Sequence, residues 1–317
     1  MSLSVLVLGG SGFVGRALCE QLTRQLGAGV RITVPTRRLQ HARDLQSLPG
    51  VTVVPADVFK DLPRLVPGHD AVVNLIAILQ GSAAAFEHVH VELPRRIAAA
   101  MHAVGVRHLV HVSALGVAEH APSRYLRSKA AGEAVLQVAA QTGSLDLTLL
   151  RPSLLFGDGD RSVNLFAGLQ QLFPVMPLAG AGARLQPVWV QDLARALVEV
   201  LLRREAIGQT YEIAGPRELT LGDLVRLAGR VAGHERPVLA LPGPLATLQA
   251  LAMECLPGEP LLSRDNLASL SVPNVPSGAL PGLAELGIQP AAMEAVLPIY
   301  LAPGSGVARL DAWRARH

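Results

Sequence analysis

The sequence predicts an α/β protein, a doubly wound and mostly parallel sheet followed by a small C-terminal cap. Two observations carry that expectation. Short β-rich apolar runs alternate with stretches of helical period through the first half of the chain, the pattern of right-handed βαβ units. Beyond Gly215 the alternation gives way to a tail broken by Pro242, Pro244, Pro257, Pro260, Pro273, Pro276 and Pro281, which suits short helices and loops better than another sheet. At 317 residues there is chain enough for two domains, or one domain with a substantial cap.

Taken in order, the first apolar run, Ser4–Leu8, reads as a buried strand and Val14–Leu26 as the helix after it. Arg31–Pro35, Val51–Pro55, Ala71–Ile76, His108–Ser113 and Leu147–Leu150 are the next strands. Helices are expected between them at Leu39–Ser47, Phe59–Leu65, Phe86–Val104 and Ser123–Thr142. After Arg151, Leu185–Val190 and Gln209–Ala214 read as strands flanking a helix over Asp192–Arg203. Leu221–Val231 and Leu245–Cys255 are helices of the tail. In the second, Leu245, Leu248, Leu251, Ala252 and Cys255 form an apolar stripe, which predicts either packing into its own domain or docking of a hydrophobic partner or membrane face. These elements place residues 1–155 and 185–215 in the sheet domain, and 156–184 and 216–317 in the cap.

Composition excludes several classes of function. Hydrophobic residues make up 50% and charged residues 17%, the balance of a packed globular enzyme rather than a disordered chain. The net charge of +3 is mild, the arginines are scattered and aromatics are 3%, so stacking platforms for nucleic acid are lacking. Cys19 and Cys255 are too few and too far apart for a disulfide framework or a metal site. The chain opens directly on an apolar strand rather than a signal peptide. Its longest uncharged stretch, Ser162–Ala183, carries Asn164, Gln170, Gln171, Pro174 and Pro177, which argues against a transmembrane helix. A soluble, cytoplasmic protein is expected.

The chemistry-bearing motifs begin at the first strand. Val5-Leu-Val-Leu-Gly9-Gly10-Ser11-Gly12-Phe13-Val14-Gly15 sets a G-x-x-G-x-x-G turn between strand and helix, where glycines let the backbone approach a pyrophosphate at a helix N-terminus. Gly9, Gly12, Phe13, Val14 and Gly15 are therefore cofactor candidates. Proteins that bind NAD usually place an acid at the end of the second strand. Here the sequence is Thr36-Arg37-Arg38, whose guanidinium groups suit a 2′-phosphate, so NADP(H) is preferred while NAD(H) stays open. Asp57, after the third strand, could accept from an adenine amine or simply cap the following helix.

Tyr125-Leu-Arg-Ser-Lys129 is the second motif. Lys60 and Lys129 are the only lysines among 28 basic residues, so a lysine one helical turn from a tyrosine is unexpected as mere surface charge. Its compact ammonium can approach the phenol, or a ligand beside it.

Together, the glycine turn, His111-Val-Ser113-Ala and Tyr125-x-x-x-Lys129 resemble the short-chain dehydrogenase/reductase superfamily, whose core is a Rossmann sheet. Leu150-Arg151-Pro152, Phe156-Gly157 and Val188-Trp-Val190-Gln-Asp192-Leu-Ala194 resemble its extended branch, which includes epimerases and dehydratases. The wording around Ser113, Tyr125 to Glu133 and Arg151 to Gly157 is similar to the atypical group containing the nucleotide-binding accessory subunit of respiratory complex I, a group with members linked to ubiquinone synthesis. The likeness covers roughly residues 1–215 and beyond that rests on Leu256-Pro257-Gly258 and neighbouring prolines.

The resemblance implies Tyr125 as general acid/base, Lys129 as the residue that lowers its pKa and binds the nicotinamide ribose, and Ser113 as a donor to the substrate oxygen. The bland alternative for Ser113 is a cap of the local turn. The resemblance adds Val58, Ala77 and Pro152 to the cofactor contacts. It implies an oxidoreductase or epimerase-like protein with a small-molecule substrate. The alternatives are a non-catalytic NADPH-binding subunit or redox sensor of a respiratory or quinone-synthesis complex, peripheral to the inner membrane face, or a nucleotide-sugar epimerase or dehydratase. His90 stands where extended members usually carry an Asn, which puts turnover in question; with His88 it offers too few ligands for zinc, so a structural or solvent-facing role is expected. Arg161, after Asp158 and Asp160, either faces an anionic substrate or pairs locally. The uncharged stretch Leu165–Leu178 is expected to line an apolar substrate cleft.

Overall fold

The computed structural model describes residues 2–255 and 262–302, so Leu256-Pro257-Gly258 lies outside the described residues. In chain order the elements are β1 (Leu3–Leu8), α1 (Phe13–Leu26), β2 (Val30–Thr36), β3 (Val51–Pro55), α2 (Val58–Leu65), β4 (Ala71–Asn74), α3 (Ala83–Glu87), α4 (Leu93–Ala103), β5 (His108–Val112) and α5 (Arg124–Gln141). They continue with β6 (Asp146–Pro152), β7 (Leu155–Phe156), α6 (Val163–Leu172), β8 (Met176–Ala179), β9 (Arg184–Leu185), β10 (Val188–Trp189), α7 (Val190–Leu202) and β11 (Thr210–Ile213). Last come β12 (Leu219–Thr220), α8 (Leu221–Val231), β13 (Val238–Leu241), α9 (Gly243–Glu254), α10 (Arg264–Leu270) and α11 (Met293–Leu301).

Seven strands form one wholly parallel sheet in the order β11-β6-β5-β4-β1-β2-β3. All four residues of β4 are buried, as befits a central parallel strand covered on both faces. One face of the sheet presents Leu6, Leu8, Val72, Leu109 and Leu149 to Leu62 of α2, Ile97 and Met101 of α4 and Leu136 of α5. Each such fully buried side chain stabilises the fold by roughly 1.5–3 kcal/mol relative to exposure. Chain order reverses between β1 and β4, and in an open α/β sheet the carboxyl ends at that switch flank the ligand crevice.

The chain divides into two compact units. The first holds the chain up to Pro152, Val190–Ile213 and Ser277–Ile288. The second holds Ser153–Trp189 and the described parts of Ala214–Pro276 and of the chain from Gln289 on. Ser277–Ile288, which the sequence alone puts in the cap, thus returns to the sheet unit. Glu212 on β11 explains why: its Oε2 accepts from the Ser277 N–H and hydroxyl at 2.6 and 2.8 Å, and its own N–H donates to the Pro281 carbonyl at 2.8 Å. The second unit has its own core, built around Phe156, Val163, Leu178, Leu224, Val225 and Leu297. There β8 and β13 pair in parallel, and the buried Gln170 amide donates to the Val225 carbonyl.

Three expected elements take another form, and of the two readings left open for the α9 stripe the exposed one holds. Leu39–Ser47 forms two 3₁₀ turns, Leu39–Ala42 and Asp44–Ser47, rather than a helix; its buried side chains, Ala42 and Leu45, are three apart, the repeat of the tighter turn. Phe86–Val104 is broken by a π-turn over His88–Glu92. Leu185–Val190 splits into β9 and β10 around Pro187, which has no N–H to give a ladder. The apolar stripe of α9 faces outward: Leu245, Leu248 and Leu251 are 52%, 60% and 43% exposed, and the buried positions are Ala246 and Ala250.

Candidate active site

The glycine turn is a cradle defined by what a side chain would strike. Gly9 adopts φ +82°, a conformation that favours glycine. A Cβ at Gly10 would lie 2.8 Å from a Val34 methyl, and one at Gly15 2.4 Å from Gly10 Cα, so α1 seats directly on the turn. Gly12 caps α1 and brings no side-chain acceptor, which leaves the first N–H groups to a ligand. This arrangement fits a pyrophosphate.

The other expected cofactor residues are set along the same carboxyl edge of the sheet. Thr36 is buried at the end of β2, with Arg37 and Arg38 exposed after it. Asp57 caps α2, its Oδ1 accepting from the Phe59 N–H at 3.1 Å, and Val58 is buried behind it. Ala77 is exposed in the loop after β4, Ser113 follows β5, and Pro152 closes β6. Among the described residues no group of three or more His, Cys, Asp or Glu could hold a metal ion.

Lys129 is 2% exposed on α5, and its Nζ donates to the Val112 carbonyl at 2.7 Å. Burial lowers its amine from the ordinary 10.5 to about 8, partly countered by Glu133 one turn along. Glu133 itself is engaged by Arg151, whose Nε and Nη2 donate to its two oxygens at 3.0 and 2.5 Å. Tyr125 is half-buried, and burial pushes its phenol up to about 12. The expected lowering by Lys129 is therefore absent here; desolvation dominates and keeps the phenol protonated. The Ser113 hydroxyl is buried without a hydrogen-bond partner among the described residues, so it does not cap the local turn. Ser113 N–H donates to the Leu150 carbonyl at 2.7 Å, which fixes the backbone behind that hydroxyl.

Three further residues belong to these surroundings; of them the sequence already singles out His90, for a structural or solvent-facing role. His90 is buried, not solvent-facing, and its ring meets that of Tyr125 edge-on at 5.6 Å. His111, fully buried on β5, receives at Nδ1 the Asn74 side-chain N–H at 3.0 Å. Asn74 Oδ1 is taken by the Ile76 N–H at 3.2 Å, which fixes that amide's orientation. Burial and the nearby Lys129 charge lower the pKa of both imidazoles, His90 to about 3. Gly132 is the third: a Cβ there would stand 2.0 Å from the His90 carbonyl, so only glycine lets α5 lie so close to the π-turn. A glycine inside an otherwise good helical run was the signal available for it.

Outside the sheet unit, Asp160 is buried and accepts from the N–H groups of Ser162 and Val163 at 2.8 and 2.6 Å, organising the start of α6. Arg161 beside it is exposed. Of the expected apolar lining, Phe166 and Leu169 pack on the second core while Leu172 and Phe173 are exposed. Among the described residues no helix is long and apolar enough to cross a membrane.

Comparisons with known proteins accord with this geometry. The profile of a family described as NAD(P)H-binding matches residues 9–203. The mitochondrial NADH dehydrogenase [ubiquinone] 1 alpha subcomplex subunit 9 of Mus musculus is 31% identical over 299 residues, covering 91% of this chain and 77% of its own. The ceramide reductase of Caulobacter vibrioides is 29% identical over 248 residues, covering 76% and 74%. Among solved structures, the UDP-glucuronic acid 4-epimerase of Bacillus cereus, in complex with UDP-glucuronic acid and NAD, matches with a TM-score of 0.70 at 16% identity, covering 99% of this chain and 100% of its own.

Proposed function

This chain belongs to the NAD(P)H-binding family, and on that premise we propose that it is an extended short-chain dehydrogenase/reductase, an NADPH-preferring oxidoreductase of an apolar carbonyl or quinone-related substrate. The observation that carries the reading is the Ser113 hydroxyl, buried without a partner one residue beyond the carbonyl that holds Lys129. A bound nicotinamide supplies hydride chemistry. Ser113 donates to the substrate oxygen. Tyr125 keeps its proton at neutral pH, as burial dictates, and delivers it to that oxygen in the reductive direction. Lys129 offers its remaining N–H donors to the ribose hydroxyls. The glycine cradle takes the pyrophosphate, Arg37 and Arg38 take a 2′-phosphate, and the free Oδ2 side of Asp57 meets the adenine amine. The ceramide reductase relative supports an apolar substrate.

The test is NADPH oxidation by the purified protein on addition of quinones or carbonyls. Tyr125→Phe should lower turnover by about 10²–10⁴-fold with cofactor affinity nearly unchanged, since only the proton-bearing oxygen is lost. Full activity in that variant would place the proton elsewhere. A second reading, favoured by the exposed leucines of α9 and by the complex I subunit relatives, is an accessory subunit that holds NADPH at a peripheral membrane assembly. Nucleotide held tightly yet oxidised by no acceptor would select it.

A further inference from the structure

The loop after β4 and the Tyr125–Lys129 helix are joined by the His90 imidazole. Ile78 N–H can only donate, so His90 Nε2, at 3.1 Å, is the acceptor. Ser128 Oγ lies 2.8 Å from His90 Nδ1 and gives its own hydrogen to the Tyr125 carbonyl at 2.8 Å. Ser128 therefore accepts from Nδ1–H, and His90 is neutral and locked in one tautomer. On the other side, the loop touches the glycine turn: a Cβ at Gly9 would lie 3.2 Å from the Leu75 carbonyl carbon and from an Ile76 side-chain carbon. One continuous chain of contacts thus runs from Gly9 through Leu75–Ile78, His90 and Ser128 to the backbone of Tyr125.

We infer that His90 is a positioning residue that couples nucleotide occupancy of the glycine turn to the placement of Tyr125, through the Ile78 N–H on one side and Ser128 on the other. The inference deepens the NADPH reading and rests on it. The ring is suited to this because its two nitrogens reach opposite ways, one accepting and one donating, and no single hydrogen bond of the cradle depends on it. Removing it breaks the link without dismantling either end. The histidine thus organises the site from outside it.

The chain has three tyrosines, so ¹³Cζ-tyrosine labelling gives three resonances, and Tyr125→Phe assigns the one that matters. NADPH should displace that resonance in the wild type. In His90→Phe and in Ser128→Ala the displacement should fall to less than about a third, while the calorimetric Kd for NADPH changes by less than about fivefold, the mark of lost coupling rather than lost binding. His90→Gln, which restores an acceptor for Ile78, should recover at least about half of the displacement. Ser128→Ala makes the test independent of whether a phenylalanine fits at position 90. Full displacement in both variants overturns the inference, as does a wild type that binds NADPH with no displacement. Failure of the wild type to bind NADPH at all sinks the underlying reading as well, and calorimetry alone reveals that case.

Discussion

An amine that titrates near 8 makes stability depend on alkaline pH. The unfolded chain keeps the Lys129 proton up to about 10.5, whereas the folded protein releases it near 8. Below pH 8 the folded state carries the whole desolvation penalty, and as pH rises from 8 to 10.5 the penalty is relieved, so this residue's contribution to stability rises across that window. Urea midpoints of wild type minus Lys129→Met, taken between pH 7 and 10, should show that rise; a flat difference would contradict it. Arg37 allows a second test. Losing one charge-assisted pair costs about 1.5–3 kcal/mol, so Arg37→Ala should reduce the preference for NADPH over NADH by roughly 10–100-fold in parallel titrations. Tyr125 and Lys129 were legible as candidates because a rare residue pair stands out against this composition, and Ser113 only through the family resemblance. The contacts of His90 and His111 were not legible, because which nitrogen accepts from which N–H is set by chain segments remote in sequence.

Helices and strands follow local pattern where one face is buried, and depart from it where a neighbour intrudes. The glycine turn read correctly because strand, turn and helix are contiguous. The π-turn at His88–Glu92 did not; it packs against α5 at Gly132, a contact between segments remote in sequence. Gly132→Ala should therefore destabilise by about 1–3 kcal/mol or more, as overpacking does, despite alanine's better helix propensity. Gly168→Ala, in α6 with nothing within 4 Å of its Cβ position, is the matched control and should stabilise by about 0.4–1 kcal/mol. Denaturant midpoints of the two variants check both signs. Similarly, the leucines of α9 repeat at helical spacing, but periodicity does not tell which side of a helix its own unit covers; here alanines take that side.

At the scale of the whole molecule, the parallel sheet was readable from alternation, whereas its strand order and the division into units were not. The chain crosses between them at 152/153, 189/190, 213/214, 276/277 and 288/289; the first and third lie within three residues of the expected boundaries, the second moves residues 185–189 out of the expected sheet domain, and the last two have no expected counterpart. The last return is held by the Glu212 carboxylate and backbone N–H, by Arg203 donating to the Leu286 carbonyl at 3.0 Å, and by the buried Leu283 and Leu286. Glu212→Ala, which leaves the Ser277 N–H and hydroxyl without their acceptor, should cost about 1–3 kcal/mol in the urea midpoint.

During synthesis this arrangement becomes a delay. Glu212 emerges from the ribosome 65 residues ahead of Ser277, which at about 5–20 residues per second is a wait of roughly 3–13 s. For that interval the edge strand β11 carries a carboxylate with its intended donors still unmade, and the sheet unit cannot close on its final form however fast its earlier helices dock. Completion of the nucleotide-binding unit is therefore a late event, timed by translation of a segment more than sixty residues beyond its last strand.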